Sequence, residues 1–222
     1  FVSPLFPAPS PRIVNSHPPH HLAIMVTMST TLRTSTEFPD FLPLTRFSTQ
    51  RYLQMIQSGV LGPDDKVELI GGVICDMSPA GIPHNEFLIN IVDLFAPLLK
   101  EFRFAVQATL PVREGQVYDP DFMLLRRNAG GSKRDYPRPE DVMLLIEAAE
   151  SSLQRDQEVK LPVYAVAGIQ EYWIVDLVRE EIIVHRDPEG ETYRSVKTLR
   201  KGDQLSLLAA PGFPLTVQQT FE

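Results

Sequence analysis

Residues 141–176 read DVMLLIEAAESSLQRDQEVKLPVYAVAGIQEYWIVD. This segment begins with the apolar run DVMLLIEAA and ends with EYWIVD, and short continuous runs of this kind are typical of strands buried on both faces. Between them, QEVKLPVYAVAG predicts a helix, whose proline is tolerated only in the first turn or at a kink. A strand, a helix and a second strand in succession predict an α/β domain.

Two elements are predicted near the start of this domain. The sequence TQRYLQMIQSG predicts a short helix that Ser48 or Thr49 caps and a glycine ends. The sequence KVELIGGVICDM contains two β-rich runs joined by Gly71 and Gly72, a composition typical of a two-residue hairpin loop. We therefore expect an N-terminal β-hairpin region ahead of the main sheet.

The remaining elements lie on both sides of residues 141–176. The sequence NEFLINIVDLFAPLLK is apolar on nearly every face and predicts a buried helix that bends or ends near Pro97. Further strands are predicted at 103–112 (RFAVQATLPV), 119–127 (DPDFMLLRR), 181–187 (EIIVHRD) and 193–199 (YRSVKTL).

The first 44 residues differ from the rest of the chain. They hold eight of its 20 prolines and show neither helical nor strand periodicity. We expect residues 1–44 to be a disordered or loosely attached tail and residues 45–222 to be one folded domain. The chain begins with Phe1, and Met25 and Met28 are candidate start residues.

The composition excludes several classes of protein. The 222 residues are 43% hydrophobic and 22% charged, as in ordinary globular proteins, and no apolar run approaches the roughly 20 residues that span a bilayer. A single cysteine, Cys75, excludes an internal disulfide and a four-cysteine zinc site, and fits a cytoplasmic location. The net charge of −7 argues against a general nucleic-acid coat protein but allows a nucleic-acid enzyme, since metal-binding carboxylates are themselves acidic.

Two carboxylates occupy unusual places in the predicted strands. Asp121 stands where one apolar strand begins, and Glu147 stands near the end of the next. Burying a carboxylate costs on the order of several kcal/mol unless a metal ion or a cationic partner offsets that cost. If the strands are neighbours, both carboxylates lie at one end of a sheet. They are then either metal ligands or structural groups, each of which caps a strand or pairs with an arginine at the sheet edge.

Lys160 follows Glu147 by 13 residues, on the helix that leaves the same strand. It has two interpretations. As a solvated residue it forms a pair with Asp156 four residues earlier, worth about 0.3–0.5 kcal/mol. Alternatively, the crossover helix brings its ammonium back to the strand ends, where two carboxylates hold Mg²⁺ and a lysine orients water.

The chain resembles a known family in several blocks. They are RFSTQRYLQM, KVELIGGVICDMSPAGIPH, YDPDFMLL, MLLIEAAESSL and DQEVKLPVYAVAGIQEYWIVDL. From about Arg46 to Phe213, these blocks and their spacing resemble the Uma-type restriction endonucleases of the PD-(D/E)XK nuclease superfamily. The resemblance implies a restriction-endonuclease-like core, in which helices flank a central mixed β-sheet.

The resemblance also implies roles for particular residues. Asp121 matches the aspartate of the PD motif, and Glu147 matches the acidic residue of the (D/E)XK motif. The strict motif would place lysine at position 149, where this chain has Ala149. Lys160 matches the lysine that the family commonly carries on the following helix. Glu68 matches an acidic position that completes the site.

The implied activity is metal-assisted hydrolysis of phosphodiester bonds in nucleic acid, DNA more than RNA. Asp121, Glu147, Glu68 and the backbone carbonyl of Ala148 would bind Mg²⁺, with Mn²⁺ as an alternative. His84 also falls at a family-typical position, with either a phosphate-contacting or a loop-supporting role. The expected partner is nucleic acid rather than a membrane, and a homodimer is left open.

Other charged residues are given structural roles or left open. The loop at 126–138 carries five basic residues and is either a nucleic-acid backbone contact or a solvated connection. Asp119 and Glu150 are expected on the surface or behind the site, and His185 on a strand surface. Two rival functions also stand: a degraded nuclease fold that binds DNA or a protein partner, and a glycoside hydrolase using Asp121 and Glu147.

Overall fold

The computed structural model describes residues 44–127 and 135–222. The predicted tail therefore lies outside the described residues except for Leu44, and so do residues 128–134 of the predicted basic loop. The α-helices are α1 (Thr49–Gln57), α2 (Ile82–Phe95), α3 (Leu153–Arg155), α4 (Leu161–Val166) and α5 (Val217–Phe221). The strands are β1 (Val67–Ile70), β2 (Val73–Asp76), β3 (Phe102–Val106), β4 (Leu110–Arg113), β5 (Gln116–Tyr118), β6 (Phe122–Arg126), β7 (Val142–Ala149), β8 (Glu171–Asp176), β9 (Glu181–Glu189), β10 (Thr192–Arg200), β11 (Gln204–Leu205) and β12 (Leu215–Thr216).

A six-stranded sheet forms the centre of the fold. Its strand order is β10-β9-β8-β7-β6-β3. Strands β7 and β8 are parallel, and the other neighbours are antiparallel. The parallel pair requires a crossover, which α3 and α4 supply. The predicted central mixed sheet is confirmed.

Helices cover both faces of this sheet. Successive strand residues point to opposite faces, and both faces carry apolar side chains that the helices bury. Leu144 and Ile146 of β7 pack in one core together with side chains of α2 and α5. Leu145 and Ala149 pack in a second core with Val163 and Tyr164 of α4. From Leu144 to Ala149, the apolar side chains of β7 alternate between these two helical layers.

A second sheet, of order β2-β1-β5-β4, contains the predicted hairpin. Ile70 pairs with Val73, so that Gly71 and Gly72 alone form the loop, with φ of 57° and 80°. A two-residue loop with both φ values positive matches the right-handed twist of the strands and favours glycine. A Cβ on Gly72 would also lie 2.7 Å from the Cβ of Arg46. The predicted hairpin is confirmed.

The predicted strand at 103–112 is wrong as a single element. It consists of β3, in the six-stranded sheet, and β4, in the four-stranded sheet. Between them, Gln107 has a φ of 45°, a left-handed conformation that is uncommon for residues other than glycine. The chain turns there and leaves one sheet for the other, which the continuous apolar pattern did not reveal.

Three further expectations concern the end of α2, the burial of α2 and the burial of His185. Helix α2 ends at Phe95 and continues as a 3₁₀ turn at Ala96–Lys100, as its proline predicted. It is not buried on every face, because Ile82 and Ile89 are 75% and 61% exposed. His185, expected on a strand surface, is instead buried and stacked on Tyr172, since α4 covers that face of the sheet.

Within residues 44–127 and 135–222, no helix combines the length and the apolar character needed to cross a membrane.

Candidate active site

Asp121 and Glu147 meet at one end of the six-stranded sheet. Strands β6 and β7 are antiparallel with Phe122 opposite Ile146, so Asp121 precedes β6 where Glu147 approaches the end of β7. Period-two alternation puts Glu147 on the same face as Leu145, the face that α4 covers. The sequence therefore correctly predicted that these two carboxylates lie at the same end of one sheet.

Two hydrogen bonds hold the Asp121 carboxylate. Its Oδ2 accepts a bond of 2.9 Å from the backbone N–H of Ala148, and its Oδ1 lies 2.9 Å from Nε2 of His84. The carbonyl of an extended residue points to the same side of a strand as its N–H. The Ala148 carbonyl is therefore on the Asp121 side of β7, as its predicted ligand role requires.

Lys160 is buried among carboxylates, with only 4% of its surface exposed. It ends a π-helical turn at Asp156–Lys160, and Pro162 follows in the first turn of α4, where its missing N–H is tolerated. Single π turns inside helices are frequent at functional sites. The Lys160 Nζ lies 3.0 Å from Oε1 of Glu147. The solvated interpretation of Lys160 is therefore wrong.

Glu68 reaches the same ammonium from the other sheet. Its Oε1 lies 2.9 Å from the Lys160 Nζ and accepts a bond of 3.2 Å from the backbone N–H of Asp119. Glu68 is on β1 and is 1% exposed, so the hairpin contributes a charged side chain to the interior between the two sheets. The structure thus brings together the four residues predicted as catalytic: Glu68, Asp121, Glu147 and Lys160.

Asp156 is a site residue that the sequence suggested only as a solvated partner of Lys160. It is 1% exposed, and its Oδ1 lies 3.9 Å from the Lys160 Nζ. Its Oδ2 accepts a 2.7 Å bond from the Ser152 hydroxyl, whereas its buried Oδ1 has no hydrogen-bond partner among the described residues. The spacing of four residues from Lys160 was the available signal, but burial was not readable from it.

Two tyrosines complete the surroundings of the ammonium. The Tyr164 hydroxyl donates a 2.8 Å bond to Oε1 of Glu147. The Lys160 Nζ also lies 5.6 Å from the centroid of the Tyr118 ring, at a distance where a cation is attracted to the ring face. Neither tyrosine was singled out from the sequence, because apolar patterns account for both.

The burial of these groups changes their pKa values. Burial raises the pKa of Glu147 well above its ordinary value, although the Lys160 ammonium opposes this. Burial likewise raises the pKa of Asp156. Burial lowers the pKa of Lys160, but the carboxylates of Glu147, Glu68 and Asp156 outweigh it, so the pKa is raised and the ammonium stays charged. The hydrogen bond to Asp121 raises the pKa of His84.

A cavity of about 70 Å³ opens onto these groups. Its charged lining comprises five carboxylates and two basic side chains, which give a formal charge of −3 with histidine neutral. They are Glu68, Asp121, Glu147, Glu150, Asp156, Lys160 and Arg155. A phosphate cannot approach such a lining favourably unless another cation is present.

The donor set fits a hard cation, although the present arrangement favours the lysine. Carboxylate and carbonyl oxygens of Asp121, Glu147, Glu68 and Ala148 are the ligand type that Mg²⁺ takes. The buried Oδ1 of Asp156, which has no hydrogen-bond partner in the described part of the chain, is a further oxygen in this lining. Among the described residues, however, no group of three acidic, histidine or cysteine side chains is arranged to hold a metal ion. One oxygen each of Glu147 and Glu68 is occupied by Lys160.

The other predicted residues are placed as follows. Glu150 lines the cavity, and its carboxylate lies against Gly81 at the start of α2. Asp119 lies behind Glu68, and burial raises its pKa. Of the basic loop, Arg127 donates to the carbonyl of Leu99, and residues 128–134 lie outside the described residues.

A solved structure shares this fold. It is the crystal structure of a putative nuclease belonging to DUF820 from Anabaena variabilis ATCC 29413, with a TM-score of 0.62. The match covers 81% of this chain and 98% of that chain at 13% identity, a similarity that shows the fold alone. The chain therefore has the restriction-endonuclease-like α/β fold that the sequence predicted.

The family is shown by the sequence itself. The model of the Uma2 family, described as putative restriction endonuclease, matches residues 49–218, and the chain belongs to this family. The matched range contains every predicted site residue, and the resemblance stated from the sequence is confirmed. The search of curated proteins found no match.

Proposed function

We propose that this protein is a Mg²⁺-dependent endonuclease that hydrolyses phosphodiester bonds of nucleic acid, DNA rather than RNA, with Mn²⁺ as an alternative ion. One observation carries the proposal. Asp121 and Glu147 adjoin at a sheet end, and the buried Lys160 ammonium lies 3.0 Å from Glu147. The description of the family as restriction endonucleases supports DNA as the substrate.

The residues divide the work by their chemistry. Asp121, Glu147 and the Ala148 carbonyl would hold the ion, and Glu68 would bind it directly or through water. When bound, Mg²⁺ supplies polarisation of a phosphoryl oxygen and a lower pKa for an attacking water. Lys160 orients that water and stabilises negative charge on the phosphate. His84 fixes the Asp121 carboxylate through their 2.9 Å contact.

Calorimetric titration tests the ion site without a substrate. Mg²⁺ and Mn²⁺ are titrated into wild type, Asp121→Ala and Asp93→Ala, in which the exposed Asp93 of α2 serves as a matched control. We expect binding to wild type and Asp93→Ala, and none to Asp121→Ala. Equal binding to all three proteins, or none to any of them with DNA also present, would contradict the proposal.

A cleavage assay tests the reaction. Supercoiled plasmid DNA and an RNA of matched sequence are incubated with wild type, Glu147→Gln and Asp93→Ala, with Mg²⁺ or with EDTA. We expect DNA cleavage by wild type and Asp93→Ala only when Mg²⁺ is present, and less cleavage of RNA. Cleavage that persists in Glu147→Gln would show that another group performs the reaction.

A catalytically degraded binding module is the second candidate. Its specific support is that Lys160 already occupies one oxygen each of Glu68 and Glu147, with no described group of three side chains arranged for a metal ion. The absence of lysine at Ala149 points the same way. A wild-type protein that binds DNA equally well in EDTA and Mg²⁺, and never cleaves it, would favour this function.

A further inference from the structure

We propose that Arg155 and Gln107, on opposite sides of the carboxylate cavity, bind backbone phosphates of the nucleic-acid strand on either side of the bond that is cut. The inference rests on the proposed function, because it takes the cavity to be the cleavage site. Both residues line the cavity, and neither belongs to the predicted metal or lysine groups. Their assigned role is to bind substrate, not to take part in the chemistry.

Arg155 is the basic side chain of the cavity lining that remains available to a ligand. The other, Lys160, is shared by Glu68 and Glu147. Within the described residues, Arg155 forms no ion pair; one guanidinium nitrogen donates a 3.0 Å bond to the backbone carbonyl of Asp76. A guanidinium has five N–H donors, so this bond fixes its position and leaves others for a phosphate.

A polar groove continues from the cavity past Arg155. It has a volume of about 350 Å³, and its lining shares Ser78, Ser151, Ser152 and Arg155 with the cavity. Hydroxyl groups and arginine are the side-chain groups that commonly contact phosphate oxygens. The groove also contains Glu158, which accepts a 3.0 Å bond from the Gln154 amide. Because Glu158 is acidic, the groove suits one phosphate bound at Arg155 rather than several phosphates along its length.

Gln107 stands on the other side, where β3 has ended. Its backbone N–H donates a 3.0 Å bond to the Asp121 carbonyl, and its side chain is exposed. Its φ of 45° is a strained conformation of the kind that clusters at functional sites. A glycine at this position would avoid the strain. We infer that glutamine stands here because its side-chain amide has a role at the edge of the cavity.

The order of the elements places the two residues on either side of the carboxylates. Gln107 follows β3, and β6, which begins just after Asp121, lies between β3 and β7. Arg155 is on α3, which follows β7 and its Glu147. A strand that runs from Gln107 to Arg155 would therefore pass Asp121 and Glu147.

The experiment measures binding of fluorescently labelled duplex DNA by anisotropy, with Ca²⁺ in place of Mg²⁺ and over a series of salt concentrations. Matched RNA duplex forms a second arm, which separates a general phosphate contact from one specific to DNA. The variants are Arg155→Gln, Arg155→Lys, Gln107→Gly and Gln107→Asn. Arg194→Gln is the control, because Arg194 is exposed on β10, three strands from β7.

We expect Arg155→Gln to weaken binding about ten-fold and to reduce the slope of log affinity against log salt by about one, whereas Arg155→Lys keeps the slope. Gln107→Gly should weaken binding several-fold although glycine suits the left-handed backbone, and Gln107→Asn should bind more tightly than Gln107→Gly. Arg194→Gln should leave affinity within two-fold of wild type. Unfolding in urea shows which variants remain folded.

Two failures are distinguishable. If wild type binds DNA and the folded variants Arg155→Gln and Gln107→Gly bind with the same affinity and salt slope, the phosphate contacts are wrong and the proposed function stands. If wild type neither binds nor cleaves DNA or RNA with Mg²⁺, Mn²⁺ or Ca²⁺, the proposed function fails and this inference fails with it.

Discussion

Two of the buried carboxylate sites in the described part of the chain are satisfied very differently. Glu171, at the start of β8, is fully buried and accepts hydrogen bonds from the indole of Trp173, the backbone N–H of Leu208 and the guanidinium of Arg186. One cation faces one carboxylate, and both carboxylate oxygens are engaged. This is the arrangement that makes a buried ion pair tolerable.

The cluster around Lys160 has the opposite balance. Three buried carboxylates, those of Glu68, Glu147 and Asp156, share one ammonium, and an oxygen of Asp156 has no hydrogen-bond partner among the described residues. This cluster lies against a cavity. The difference is that Glu171 is matched by one cation and by hydrogen bonds, whereas the Lys160 cluster holds three carboxylates to one cation, as the proposed ion site requires.

The largest expected effect breaks the satisfied site. Arg186→Met leaves Glu171 buried without its cation, which should lower the free energy of unfolding by about 3–5 kcal/mol. The matched control is Arg200→Met, because Arg200 pairs with Glu181 at 2.8 Å but has a side chain 67% exposed. The control should cost about 1 kcal/mol or less. Urea unfolding measures both, and equal losses would contradict the comparison.

Removing the cation of the other site should affect activity more than folding. Lys160→Met should lower the cleavage rate about 10²–10³-fold, since in the proposed function Lys160 stabilises charge in the transition state. Its stability loss should be smaller than that of Arg186→Met, because Glu147 and Asp156 have raised pKa values and can take up protons. Rates are compared with Lys197→Met, an exposed lysine on β10. A variant that unfolds as severely as Arg186→Met would refute this distinction.

Matched amide substitutions should destabilise the Glu171 site but not the Lys160 cluster. Glu171→Gln weakens hydrogen bonds to a charged acceptor and should cost about 1.5–3 kcal/mol. Asp156→Asn removes a buried charge, one oxygen of which has no hydrogen-bond partner within residues 44–127 and 135–222, and keeps the Ser152 contact. Stability should therefore stay unchanged or rise by about 1 kcal/mol. Cleavage should fall about ten-fold in Asp156→Asn and should stay unchanged in folded Glu171→Gln. Destabilisation of similar size in both variants would show that the two sites are alike.

The smallest effect is the pH dependence of the metal-free protein. A carboxyl whose folded pKa is raised stabilises the fold while it is protonated, and this stability is lost as pH rises through the folded pKa. Glu147 and Asp156 follow this rule, and so does His84, whose raised pKa favours its charged form at low pH. Lys160 stays charged, because the neighbouring carboxylates raise its pKa. The other ionisable groups that face Glu147 are Asp121, Glu68 and the Tyr164 hydroxyl.

We therefore expect the free energy of unfolding in EDTA to decrease by about 1 kcal/mol between pH 5 and pH 8. Urea unfolding at several pH values measures this, and Glu147→Gln should flatten the profile. Added Mg²⁺ should restore stability at pH 8, because it neutralises the carboxylates. A metal-free protein that becomes more stable from pH 5 to pH 8 would contradict the raised pKa values.

Local patterns predicted the parts of the site that lie on regular elements. Asp121 and Glu147 could be assigned to neighbouring strand ends because an isolated charge in an apolar strand is conspicuous. The hairpin at Gly71 and Gly72 was equally readable, since its loop needs two positive φ values. Lys160 was a candidate from its place on the helix that leaves the Glu147 strand, and the family resemblance supported its role. Glu68 was found only through the resemblance.

Other features depended on packing that no local pattern encodes. Asp156 differs from a solvated acid only because α3, the π-helical turn and Tyr172 enclose it, and His185 is buried only because α4 covers its strand. Gln107 lies within an apolar run. Its left-handed turn depends on the separation of β3 and β4 into different sheets, which the run does not encode.

The sequence by itself determined the α/β class, the family, the hairpin and the residues available for chemistry, because these follow from periodicity, turn composition and motif order. The tertiary structure alone decided that Glu68 of one sheet and Glu147 of the other share the ammonium of Lys160. It also decided that Asp156 is buried with an oxygen unpartnered among the described residues. The physical reason is that burial and charge balance depend on contacts between segments up to about 90 residues apart.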